Sequence, residues 1–229
     1  MSAKTIQTLA NGKGIDLLNP KASDVDWDSY AEGLAKEKRY NGATPGEEYS
    51  VAEHCCRGTD AIIQETGDTL LAAYFLIHDA HEAVLKDLTT PRKRAIGEIC
   101  QEQFGVLADQ VITGIENLEY RHDVAIHEAA GLMWPSHSAM QAAIKHWDLV
   151  MFVSEWRDLM LGVEHPNWAP YAHVEPLPYK IRPWPWQIAK QGYLRRAGNL
   201  LPALKRPFND CQGEYAHGET MREHAGSSS

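Results

Sequence analysis

The chain is short of basic residues: 22 Lys and Arg stand against 31 Asp and Glu, a net charge of −9. A nucleic-acid binder, or a protein that rests on an anionic membrane, wants the opposite balance, so stable binding of either is not expected. A small anionic substrate is still compatible, because a bound divalent cation and a few local bases invert the field at a site. Long apolar runs are lacking as well. No stretch approaches the ~18 consecutive apolar residues of a membrane span, and the opening MSAKTIQTLANGKG has no apolar signal core. A cytoplasmic protein is the expectation. Cysteine is scarce: Cys55, Cys56, Cys100 and Cys211 show no CxxC spacing. The adjacent Cys55 and Cys56 read as small buried residues, and a reducing compartment fits. There is no internal repeat.

What is present is a globular composition, 229 residues with 44% hydrophobic, long enough for one sizeable core. Residues 1–22 are polar and read as an arm or short hairpin. Ser23, followed by Asp24 and Asp26, reads as an N-cap for a helix carrying Trp27, Tyr30, Ala31 and Leu34 and ending near Arg39. Helical spacing continues over about 49–63, and after Gly67-Asp68 over about 69–85. Two further helices are expected over about 92–108 and 118–133, with Gly105 and Gly114 as interruptions. After Trp134-Pro135-Ser136 a long helix spans about 138–161, and a last one about 186–204. Between them, residues 163–187 are rich in proline and tryptophan and suit a loop wrapped on the bundle. Residues 207–229 are polar without periodicity and are expected to be a disordered tail. The whole predicts an all-α bundle of about six or seven helices, with residues 23–206 as the main domain.

The chemistry centres on AAYFLIHDAHE, residues 72–82. Neighbours on a helix point about 100° apart, so His78 and Asp79 converge only on one small object beside the helix, such as a metal ion. His54 in YSVAEHC and Asp148 in IKHWDLVMF lie on two other helical segments and complete a mixed nitrogen and oxygen set. Such a set suits one divalent ion, among cobalt, manganese, magnesium, zinc and iron, and is not biased toward a closed zinc site. Glu82 stands at i+4 from His78, where a carboxylate could manage the proton of an attacking water, or could instead pair with Lys86. HDAHE has no two histidines at i+4, which excludes HExxH and HxxEH protease readings. His81 and His146 fall off the ligand face.

These residues resemble the H…HD…D signature of the HD-domain phosphohydrolase superfamily. HDAHEAVLKDLTTPRK is similar to the HDA-x-E…DL-x-TP-x-K run of its 5'-deoxynucleotidase-like bacterial and phage-encoded members. Arg39-Tyr40-Asn41-Gly42 with the following YSVAEH resembles their opening, and DLVMFVSEWRDLM from Asp148 their D…L-x-x-E-x-x-D-L-M continuation. The likeness covers roughly residues 12–195.

It implies a bundle holding a metal through His54, His78, Asp79 and Asp148, with Glu82 as the catalytic carboxylate. Substrate contacts would come from Arg39, Tyr40, Asp87, Thr90 and Lys93. Arg39 and Lys93 would clamp phosphate; without the resemblance, Arg39 is a helix-end cation and Lys93 part of a solvated PRKR run. Tyr40 stands where the best-known nucleotidases carry tryptophan. Glu155, two turns beyond Asp148, suits either the pocket or an ion pair. The expected activity is hydrolysis of a nucleoside 5'-monophosphate. The alternatives are release of tripolyphosphate from a nucleoside triphosphate, for which Arg92, Lys93 and Arg94 would suit the longer chain, and a noncatalytic nucleotide-binding module. Relatives are often homodimers, and the tryptophan-rich segment would suit such an interface.

Overall fold

The computed structural model describes residues 5–160, 169–171 and 173–205. The expected tail, the first part of the wrapping loop and Cys211 lie wholly or largely outside these residues. The fold is all-α. Among the described residues, seven helices of nine residues or more and one single turn make up the bundle, in the order α1 (Trp27–Lys36), α2 (Val51–Thr66), α3 (Thr69–Ile77), α4 (Glu82–Leu85), α5 (Thr90–Phe104), α6 (Ala108–Ala130), α7 (Ser138–Leu159) and α8 (Trp186–Leu200). Among the described residues, no helix is long and apolar enough to cross a membrane.

The N-terminal arm is a short antiparallel hairpin, β1 (Ile6–Thr8) against β2 (Gly14–Asp16), with Ile6 opposite Asp16. Its Ile15 is completely buried and joins the core. The first helix begins later than Ser23. Ser23 sits in a separate 3-10 turn (Ala22–Asp24), and α1 is capped by Asp26, whose carboxylate accepts from the Ser29 backbone N–H at 2.8 Å. Asp26 wins because only it lies three residues before a free N–H of the first α-turn. Gly105 does end α5, in the left-handed conformation, but Gly114 lies inside an unbroken α6. A glycine in an exposed helix interior costs only about 1 kcal/mol, which the rest of α6 outweighs.

Helices α2 and α3 form the centre. Leu71 to Ile77 of α3 are buried on every side, as an all-round apolar helix requires. Around them pack α1, α7 and α8, while α5 and α6 pair with each other. Tyr30, Tyr49, Phe75, Ile62, Met151 and Tyr193 are among the largest side chains fully enclosed there. The described part of the loop before α8 does wrap the bundle. Leu177 and Ile181 are buried, and their backbone N–H groups donate to Ser154 Oγ (2.8 Å) and Asp158 Oδ2 (2.7 Å) on α7. Trp184 N–H donates to Glu53 Oε2 on α2 (2.7 Å). Side chains thus satisfy the backbone that proline keeps out of a helix.

One departure from the expected elements bears on function. The helix expected over 69–85 stops at Ile77, and the chain passes through His78–His81 with Ala80, Glu82 and Ala83 N–H bonded three residues back, to Ile77, Asp79 and Ala80 carbonyls. In such 3-10 winding, residues three apart eclipse. Glu82 therefore follows Asp79 and not His78. Gly33 of α1 lets α4 approach closely, since a Cβ there would lie 2.8 Å from the Ala83 carbonyl oxygen.

Candidate metal centre

The four expected ligands come together. His54 is presented by α2, His78 and Asp79 by the end of α3, and Asp148 by the middle of α7. Asp79 Oδ2 lies 3.2 Å from His78 Nε2 and 3.9 Å from His54 Nε2; Asp148 Oδ1 lies 3.6 Å from His54 Nε2 and 4.0 Å from His78 Nε2. Ligands at about 2.0–2.2 Å from one ion stand roughly 3–4 Å apart, so these separations suit a single cation.

The histidines' other nitrogens fix what the inward ones present. His78 Nδ1 donates to the Phe75 carbonyl at 2.7 Å, an oxygen that can only accept. His54 Nδ1 donates to Glu155 Oε1 at 2.6 Å. When the rings are neutral both inward Nε2 atoms carry lone pairs, and both are buried without a hydrogen-bond partner. Burial lowers the His78 pKa, but the Asp79 carboxylate beside it outweighs that and raises it well above the usual imidazole value, so an ion binding there displaces a proton. An orphaned buried acceptor is costly unless something binds it. Imidazole lone pairs and carboxylate oxygens gathered in this way are what a cation would satisfy; part of the carboxylate charge is already met from outside, by Arg39 Nη1 on Asp79 Oδ2 and by Lys145 Nζ on Asp148 Oδ2 at 3.1 Å. Two overlapping groups could each hold a metal ion, His54 with His78 and Asp148, and Cys55 with His78 and Asp79; they share His78. Burial pushes the Cys55 thiol pKa up, which makes it a poorer ligand than the carboxylates.

Glu155, left open by sequence, supports the whole site. It is completely buried on α7 and accepts from His54 Nδ1, from Arg39 Nε at 2.9 Å and from Tyr40 OH at 2.7 Å. Burial alone would raise its pKa, but the Arg39 guanidinium and the His54 ring outweigh that and bring it to about 2. Arg39 spends Nε on Glu155 and Nη1 on Asp79 Oδ2 at 3.4 Å, so it clasps a ligand carboxylate from behind. Tyr40 and Asn41 both adopt the left-handed backbone conformation, with φ of 58° and 52°. A tyrosine held there is strained, and its hydroxyl bond to Glu155 helps to hold it.

Glu82 has one carboxylate oxygen buried without a partner. Its pKa is raised well above the usual carboxylate range, first by burial and then by the nearby Asp79 and Asp87. Asp87 is raised too, mainly by burial, with Arg39 opposing and Asp79 adding to the rise. Both carboxyls therefore feel the ligand cluster. Lys93 pairs with Glu119 of α6 at 2.6 Å, and Thr90 is exposed at the first turn of α5. Arg92 and Arg94 are also exposed. His81 is held by Asp123 Oδ1 at 3.0 Å; burial lowers its pKa, yet the Asp123 bond and charge lift it to about 9. His146 is exposed and sits edge-on to Trp147, with centroids 5.8 Å apart.

A cavity of about 310 Å³ opens beside the cluster, with His78, Asp79 and Asp148 in its wall. The rest of that wall, including Tyr74, His127, Trp134 and Ile144, was not anticipated from sequence. Nothing in local spacing connects residues on α3, α6 and α7, and only packing brings them together.

No protein-family model matches the chain. An uncharacterized protein of Rhodobacter capsulatus is 34% identical to it over 148 residues, which span 63% of this chain and 67% of that protein. With that identity over two thirds of the relative's length, this chain belongs to the same family as the Rhodobacter capsulatus protein.

Proposed function

We propose that this protein is a metal-dependent phosphohydrolase acting on nucleotides, and specifically a nucleoside 5'-monophosphate phosphatase of the HD-domain type. The observation that carries the reading is the pair of buried, partnerless Nε2 atoms of His54 and His78 facing two carboxylates at 3.2–4.0 Å. Four protein ligands leave room on a six-coordinate ion for water and a phosphate oxygen. A bound divalent ion supplies Lewis acidity, which makes a coordinated water acidic enough to attack near neutral pH.

The protein's own groups divide the remaining work. Glu155 and the Phe75 carbonyl hold the two imidazoles in the tautomer that leaves Nε2 free. Arg39 holds Asp79 and adds positive charge beside the cluster. Glu82, eclipsing Asp79 and tuned upward by burial, exchanges a proton with the attacking water and the leaving oxygen. The resemblance over the Arg39, His78–Lys93 and Asp148–Met160 blocks supports a nucleotide as substrate. Both cations are paired, Lys93 with Glu119 and Arg39 with Glu155 and Asp79; Arg39 is the better placed because its pairing already sets it against the ligand cluster.

The test is phosphate release from nucleoside mono- and triphosphates by chelated protein reloaded with Mn²⁺, Co²⁺, Mg²⁺ or Zn²⁺. Orthophosphate from monophosphates is expected, with loss in Asp79→Ala and a drop of about 10²–10⁴ in Glu82→Gln. Tripolyphosphate from triphosphates would replace this reading with triphosphohydrolysis. Wild type as inactive as the variants with every metal would overturn it.

A further inference from the structure

We propose that the cavity beside the ligand cluster is a nucleobase slot, in which the ring pair His127 and Trp134 forms the stacking wall and Trp134 Nε1 donates to the base. The inference deepens the nucleotide reading above and rests on it for the position of the phosphate. Three ligand residues, His78, Asp79 and Asp148, share the cavity with Tyr74, His127, Trp134 and Ile144. A molecule seated there would have one end at the ligands and the other against these rings.

The aromatic wall is two rings deep. The His127 and Trp134 rings are stacked with centroids 4.2 Å apart and planes 27° apart. His127 is almost fully buried, and its Nδ1 donates to the Asp123 carbonyl at 2.8 Å. Burial depresses its pKa, which favours the neutral ring, and Tyr74 packs against it with centroids 5.7 Å apart, so that His127 backs the Trp134 ring. Tyr74 OH donates to the Met133 carbonyl at 2.8 Å, tying the chain beside Trp134 to α3.

At the ligand end of the cavity Lys145 donates to Asp148 Oδ2 at 3.1 Å; away from that end the polar groups of the wall include Trp134 Nε1 and Gln141. Trp134 Nε1 is buried with no hydrogen-bond partner, a donor that an acceptor on a ligand would satisfy. Gln141, in the same wall, gives its Nε2 to the Ser136 carbonyl at 3.0 Å, which leaves its side-chain oxygen as an acceptor. A flat ring that offers both an acceptor and a donor at its edge is a nucleobase. A volume of about 310 Å³ is near the lower end of ligand pockets, enough for a base with its sugar.

The test follows the indole N–H resonances of ¹⁵N-labelled full chain while 2'-deoxyadenosine, 2'-deoxyguanosine, 2'-deoxycytidine, thymidine and ribose 5-phosphate are added in turn. Loss of one resonance in Trp134→Phe assigns Trp134. A saturable shift of that resonance with a nucleoside and none with ribose 5-phosphate is expected. Ile144→Phe, which fills the slot while keeping the stacked rings, should weaken the nucleoside titration about tenfold or more, as loss of one stacking site does. If Trp134 does not respond to any nucleoside although the protein releases orthophosphate from nucleotides, the slot is overturned and the phosphatase reading stands. If nucleosides shift Trp134 but no phosphate ester is cleaved, the slot stands and the proposed activity falls.

Discussion

Glu155→Gln isolates the group on which the site's histidine tautomer depends. The glutamate accepts three hydrogen bonds, from His54 at 2.6 Å, Tyr40 at 2.7 Å and Arg39 at 2.9 Å. Glutamine has the same shape but only one acceptor oxygen. Turned toward Arg39 and Tyr40, that oxygen leaves the amide NH₂ facing His54 Nδ1. The ring must then accept at Nδ1 and carry its proton on Nε2, where the lone pair for a cation would have been. Losing an outer partner of a ligating histidine typically costs 10–100-fold in metal affinity, and the upper half of that range is expected here because the tautomer itself changes. Glu155→Ala goes further and strands the Arg39 charge. Breaking a buried pair costs about 3–5 kcal/mol. At about 2–4 °C per kcal/mol for a chain of this size, the melting temperature should fall by roughly 6–20 °C. Chelator competition with Co²⁺ and thermal melts of the metal-free proteins measure the two effects separately. Glu155→Gln that holds Co²⁺ within twofold of wild type would refute the tautomer argument, and an unchanged melt of Glu155→Ala would refute the buried-charge argument.

Gly58→Ala probes the packing behind the ligands. A Cβ on Gly58 would lie 2.1 Å from the Phe75 ring, which itself sits against His78 with centroids 4.4 Å apart. Overpacking of this kind costs about 1–3 kcal/mol, read as a shift in urea midpoint; a neutral result would mean that Phe75 can retreat. Asp26→Ala tests the helix start and the pH dependence together. Bonds from the Ser29 side chain and backbone hold the Asp26 carboxyl below its usual pKa, so its stabilisation is full above the unfolded value of about 3.9 and disappears as pH falls through the lower folded value. Asp26→Ala should therefore cost about 1 kcal/mol at pH 7 and progressively less in strong acid, with Ser23→Ala near neutral throughout. Equal losses from the two variants would contradict the observed cap.

Much of the fold was legible in the sequence because its signals are local. Gly67, Gly105, the Trp134–Ser136 break and the apolar spacing of α2, α3 and α7 depend on residues within one or two turns of each other; the cap of α1 was misassigned to Ser23, three residues before Asp26. The candidate ligands were legible for a similar reason. His78 and Asp79 are adjacent, and His54 and Asp148 each mark the apolar helix that carries them. What sequence left open depends on contacts between elements far apart in the chain. Glu155 could be seen to share a face with Asp148, but its three partners lie 101 to 116 residues away. The expectation that Glu82 shares the face of His78 assumed α-helical winding, and tertiary packing of α4 against Gly33 goes with a tighter turn instead. Lys93 looked free because its partner Glu119 belongs to the next helix. The sequence by itself determined the helices and the residues that could ligate; the tertiary structure decided which nitrogen each histidine turns inward, which carboxylate Glu82 follows and which rings close around the cavity. Helical spacing is set by bonds along one segment, whereas tautomer, pairing and cavity shape are set by whatever another segment brings within a few ångströms.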